Sequence, residues 1–135
     1  ATDYCFATKF ASAKLSELAI GIGPFVVGPA VERKIGTSAF SAMTINATKW
    51  FDAEWAREKG LYTEIFDSAE QMDIEVAKLA TTLSNFNPEA MEGLKKVMWQ
   101  GTEHWDTLLM ERAVSSGTLV LSDFTRNAIN KFKTK

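Results

Sequence analysis

The chain has one cysteine, one histidine and three prolines in 135 residues, and each scarcity excludes something. A lone Cys5 cannot build an internal disulfide framework, so a reducing, cytoplasmic setting is the expectation. Cys5 sits in an apolar run with no base beside it, which reads as a structural thiol rather than a nucleophile. His104 stands beside Glu103, with Asp106 two residues on. Ligands on one helix face recur at i and i+3 or i+4, so Glu103 and Asp106 could meet while His104 points elsewhere. No metal is expected, and His104 reads as a surface or interface residue. No apolar run approaches the roughly 20 residues that span a bilayer, so no membrane contact is expected. A net charge of −2 offers no basic surface for nucleic acid. The serines show no nucleophile elbow, and Gly21-Ile22-Gly23 lacks the third glycine of a dinucleotide fingerprint.

What is present is an ordinary globular composition, 46% hydrophobic and 24% charged, enough for one domain with a core. The pattern is mainly α with a few short β-strands. Strands are expected at Asp3–Thr8, Lys14–Ser16 and Leu61–Phe66. An apolar helical segment runs from Pro24 to Ile35. Thr37 or Ser38 can cap a helix through Ala47, with Phe40, Met43, Thr44 and Ala47 on one face. Asp52 caps 53–59, which Gly60 ends. Ser68 caps a long helix to about Ser84, striped with Met72, Val76, Leu79 and Leu83. Pro88 opens the next, carrying Met91, Leu94, Val97 and Met98 as far as Gly101. Thr102 opens another, with Trp105, Leu108, Leu109 and Ala113, and Ser122 caps the last, with Ile129 and Phe132 inward. Trp50, Trp55, Trp99 and Trp105 read as core or interface packing rather than stacking platforms. So few strands leave open sheet edges, which are costly, so the chain reads as cut from something longer, with a partner over its edges.

One carboxylate stands out. Glu17 lies among Leu15, Leu18 and Ile20, with Gly21, Gly23 and Pro24 following at once. A short strand, a Gly/Pro turn and a helix opening at Pro24 would hold its side chain at the rim of a crevice. It is either a solvated strand residue, partnered by a lysine such as Lys14, or a carboxylate on apolar surface able to give and take a proton. Composition and spacing alone favour the solvated reading, since charged side chains mostly face water.

The run Leu15-Ser16-Glu17-Leu18-Ala19-Ile20-Gly21-Ile22 resembles the segment of crotonase (enoyl-CoA hydratase/isomerase) family chains that carries a catalytic glutamate. Gly28-Pro29 and Lys34-Ile35-Gly36 are similar to the methylglutaconyl-CoA hydratase-like branch. Asp52-Ala53, Ala56 and Gly60-Leu61, then Asn87-Pro88 with Lys95, then Ser122-Asp123-Phe124, follow in the family's order and spacing. The resemblance runs over the whole chain and about the second half of a family member. It implies the C-terminal part of the ClpP/crotonase-like α/β fold: residues 1–66 a remnant of the core, residues 67–135 a helical region for trimerisation.

It further implies an acyl-CoA thioester as substrate, no cofactor, and a homo-oligomer, a trimer or a multiple of one. In family hydratases two backbone N–H groups hold the thioester oxygen and stabilise the enolate; one glutamate activates water and another protonates the alpha carbon. Glu17 matches the latter. Gly21, Ile22, Gly23, Pro24 and Phe25 would line the substrate, and Phe132 and Lys133 the CoA nucleotide of an adjacent subunit. The partner glutamate and both oxyanion segments would fall before Ala1, so the chain alone is expected to be inactive. Two departures bear on CoA contacts: Ala47-Thr48 replaces the family's Thr-Gly, and the glycine usual after Asp-Phe is missing near Asn127. A non-catalytic helical self-association module is the alternative, as is a truncated product without function.

Overall fold

The computed structural model describes residues 2–133, and the side chains of residues 2–131. Its elements are β1 (Phe6–Thr8), β2 (Ser12–Ala13), a 3-10 turn (Glu17–Ile20), α1 (Gly28–Ile45), β3 (Phe51–Asp52), α2 (Ala53–Glu58), β4 (Glu64–Phe66), α3 (Ala69–Ser84), α4 (Pro88–Met98), α5 (Trp105–Val120) and α6 (Asp123–Lys133). Two small sheets anchor the first half. β1 runs parallel to β4, with Ala7 opposite Ile65, and β2 runs antiparallel to β3, with Ala13 opposite Phe51. A parallel pair needs a long crossover, and α1 and α2 lie in it.

The strands are shorter than the sequence suggests, for reasons their hydrogen bonds give. β1 begins at Phe6, not Asp3, because the Cys5 carbonyl accepts from Thr63 N–H at 2.7 Å and closes the ladder there. β4 begins at Glu64, not Leu61, because Leu61 and Tyr62 both donate to the Ala56 carbonyl, at 2.8 and 3.2 Å, finishing α2. The Lys14–Ser16 strand is instead Ser12–Ala13, since Leu15 turns into the core at 8% exposure. β3 was not legible as a strand at all.

The core is small: Leu15, Ile35, Ala39, Met43 and Phe51, with Val31, Phe40, Trp55 and Leu61 around it. α2 presses on it through Ala53 and Ala56, which leave no room for larger side chains at 1% and 0% exposure. Caps fall where the residue types ask for them. The side chains of Asp52, Ser68 and Asn87 accept from the first-turn N–H groups of α2, α3 and α4. Helix openings at Pro24 and Thr102 are corrected: α1 starts at Gly28 with Pro29 in its first turn, and α5 starts at Trp105. α1 kinks at Gly36 (φ 78, ψ 158), where two helices had been expected; Thr37 spends its hydroxyl on Glu32 instead of a cap.

The second half differs in kind. α3, α4 and α5 bury no residue completely. Val76, Leu83, Leu94 and Val97, on the apolar faces of α3 and α4, are exposed, as is Ile129, expected inward. Trp50 is 59% exposed under the Lys14 ammonium, 4.4 Å from its ring centre, so it is not a core residue. Trp55 stacks on Phe51, and Trp99 meets Trp105 edge to face at 5.9 Å. His104 is exposed. No helix of the described residues is long and apolar enough to cross a membrane.

One polar cluster ties the N-terminal segment to α4. Asp3 accepts from Lys95 and, at 2.8 Å, from Trp99 Nε1. The Lys95 bond first and the Trp99 bond second hold its carboxyl below the usual carboxylate range. A lowered folded-state value means stability that is present above the ordinary value and lost as pH falls through the lowered one. Asp3 is 35% exposed, so solvent screening limits the effect to about 0.5–1 kcal/mol. Asp3→Asn should therefore flatten the acid limb of a melting-temperature-against-pH curve; an unchanged limb would show the cluster is energetically silent.

Candidate active site

Glu17 opens the 3-10 turn rather than ending a strand. Ala19 N–H donates to Ser16 O, Gly21 N–H to Leu18 O at 3.1 Å, and Ile22 N–H to Glu17 O at 3.0 Å. The turn closes at Gly21 in the left-handed region (φ 84, ψ 15), a conformation glycine takes without a Cβ penalty. It packs against α1 on one side and α6 on the other.

The Glu17 side chain is half-buried, and its Oε2 is buried with no hydrogen-bond partner among the described residues. That outcome is unusual, because buried polar atoms are nearly always paired. Glu17 is therefore not a fully solvated strand residue.

Along the chain after Glu17, Gly21 and Ile22 are half-buried, Gly23 and Pro24 are buried, and Phe25 stands at the surface with Val26 and Val27. A Cβ at Gly23 would strike the Phe25 ring at 2.3 Å, so glycine is required for the ring to fold back over the turn. Gly28 N–H donates to Pro24 O at 2.8 Å, so one helical turn precedes the regular part of α1. Arg112 of α5 donates to Phe25 O at 3.3 Å and pins the loop from outside. The structure thus brings Glu17 together with Gly21 and Ile22, and it continues through Gly23 and Pro24 to Phe25. Phe132 and Lys133 fall in the last turn of α6, and their side chains lie outside the described residues.

Sequence reasoning missed Thr125 and Phe124 as neighbours of this turn. A Cβ at Gly21 would lie 2.5 Å from Phe124 Cδ1 and 2.9 Å from Thr125 Oγ1. Only the Ser122 cap hinted at where α6 would start; nothing local marks its contact with a turn 100 residues earlier.

Residues 1–129 match the family model for enoyl-CoA hydratase/isomerase. The chain belongs to the enoyl-CoA hydratase/isomerase family. Solved structures carry the same fold. An enoyl-CoA hydratase/isomerase from Pseudoalteromonas atlantica T6c superposes with a TM-score of 0.88 at 17% identity, over 98% of this chain and 53% of that one. An enoyl-CoA hydratase from Mycobacterium avium gives 0.87 at 24% identity, over 98% and 51%. One from Bacillus halodurans gives 0.83 at 20%, over 96% and 52%. The chain therefore spans about half the length of these family members. No curated protein matches it in sequence.

Proposed function

We propose that Glu17 is the proton-transferring carboxylate of an acyl-CoA hydratase or isomerase site. The observation that carries this reading is the buried, unpartnered Oε2 on a glycine-closed turn. In hydration of an enoyl thioester, hydroxide adds to the beta carbon and a proton to the alpha carbon. Glu17 supplies that alpha-carbon proton while another base takes one from water. In isomerisation the double bond shifts, and Glu17 would move a proton between carbons. Gly21–Phe25 forms the wall beside it, and Phe132 and Lys133 are candidates for the CoA nucleotide. Gly28-Pro29 and Lys34-Ile35-Gly36 make methylglutaconyl-CoA-like thioesters the first to screen.

The reaction also needs two N–H donors on the thioester oxygen and a second carboxylate, which the resemblance assigns to residues outside this sequence. Crotonyl-CoA hydration by the purified 135-residue chain should therefore not exceed the buffer rate; measurable turnover would overturn the division of labour. Binding is testable without turnover. A thioester at a hundredfold excess over its Kd should stabilise the chain by about 2.7 kcal/mol, read as a rise in melting temperature. Glu17→Gln replaces an orphaned carboxylate oxygen by a neutral amide, so the free variant should melt no lower than the parent. Its thioester-induced rise should fall by more than half. Equal rises in both proteins would sink Glu17 as the contact.

A second reading concerns assembly. The exposed apolar faces of α3, α4 and α5 support residues 67–135 as a helical self-association region attached to the core remnant of residues 1–66.

A further inference from the structure

We propose that the first turn of α6 clamps the Glu17 carboxylate in place, with Thr125 as its positioning residue; this rests on Glu17 being the acid/base. Thr125 is 0% exposed and is the one fully buried polar residue among those described, on a helix whose other described side chains are mostly exposed. Burial of a threonine there needs a reason, and the reason lies across from it. Its Oγ1 would be 2.9 Å from a Cβ at Gly21, so helix and turn meet with no space between them.

The hydroxyl is itself oriented. Ser122 Oγ donates to Thr125 Oγ1 at 3.1 Å and accepts from Thr125 N–H at 3.3 Å. Phe124, 66% exposed, lays its ring edge over the same glycine. A large apolar side chain left in water at that point is consistent with a cover rather than a core residue.

Movement of Gly21 reaches Glu17 by a short path. Gly21 N–H is bonded to Leu18 O, and the next N–H, of Ile22, is bonded to Glu17 O itself. A glutamate side chain with no hydrogen bond to hold Oε2 would rotate toward water unless packing forbids it. Its own backbone bonds set the turn's shape, and packing against α1 and α6 sets its place. α6 therefore acts on the carboxylate through Gly21, without touching a substrate.

Carboxyl labelling tests this on the full chain and needs no thioester. Carbodiimide activation with glycine ethyl ester, followed by peptide mass spectrometry, gives a rate for each carboxylate. Glu54 and Glu58, whose side chains are 66% and 69% exposed, are internal references. Glu17 should react about tenfold more slowly than they do. Thr125→Ala, which removes the side-chain atoms packed on Gly21, and Phe124→Ala should each bring Glu17 several-fold toward the reference rate while Glu54 and Glu58 stay put. Thr125→Ser should restore protection. A purely structural lesion would raise all rates together. Equal rates for Glu17 and the references in the parent, or a Glu17 still protected in Thr125→Ala, would overturn the clamp. Protection by α6 combined with no response to thioesters would instead overturn the acid/base role and leave the clamp standing.

Discussion

Gly21→Ala is expected to destabilise the chain by about 2–3 kcal/mol, from two costs that can be separated. The backbone at Gly21 has φ +84, and placing an L side chain there costs about 1–2 kcal/mol. The added Cβ would also press on α6. Its 2.5 Å approach to Phe124 is relieved cheaply, because that ring is exposed and can swing away. The 2.9 Å approach to Thr125 is not, because Thr125 is enclosed on every side. That contact adds roughly 1 kcal/mol or more of overpacking. Gly101→Ala is the control. Its φ is +87 with nothing within 4 Å of the added atom, so it carries the backbone cost alone. Urea unfolding of both variants should show Gly21→Ala to be the costlier. Equal losses would mean that α6 does not bear on the turn.

The pair also separates what a sequence can show from what it cannot. The caps were legible because Asp52, Ser68 and Asn87 satisfy donors only two or three residues away, and such short reach is written in local residue order. Gly60 as the stop of α2 was legible for the same reason, with its φ of +80. Strand edges were not: whether Asp3 or Phe6 begins β1 depends on where Thr63, some sixty residues later, sends its N–H. The turn at Glu17 lay between these cases. Its glycines announced a bend, yet residue order could not tell a solvated carboxylate from one with a buried oxygen, because that depends on what packs on the turn, including α1 and α6 from far along the chain. Amphipathic periodicity found the apolar faces of α3 and α4 but not their covering. The apolar stripes are real, but a stripe reports that a helix has a face to cover and is silent on whether this chain covers it. At Trp50 only the core half of the reading fails, because the indole sits at the surface under Lys14.

Those uncovered stripes make the last expectation the largest in effect. Purified at micromolar concentration, the 135-residue chain should scatter light as an assembly of at least two copies. Between α3 and α4 lies an open apolar cavity of about 580 Å³, walled by Leu79, Leu83, Phe86, Met91, Leu94 and Met98. Leu94 and Phe86 are 58% and 54% exposed there, and on α5 Met110 and Val114 are 70% and 69% exposed. Exposed apolar surface of this kind is what supports the self-association reading. Fully covering one such side chain is worth about 1.5–3 kcal/mol, so a few of them suffice for micromolar association. Leu94→Glu removes one of those gains and forces a charge to be desolvated in the contact, which should weaken association by roughly 10²-fold or more. The substitution faces solvent in the single chain, so the melting temperature of the dilute protein should hardly move. A parent chain that runs as a clean monomer at high concentration would remove the self-association reading. A Leu94→Glu variant that assembles as tightly as the parent would move the contact off α4.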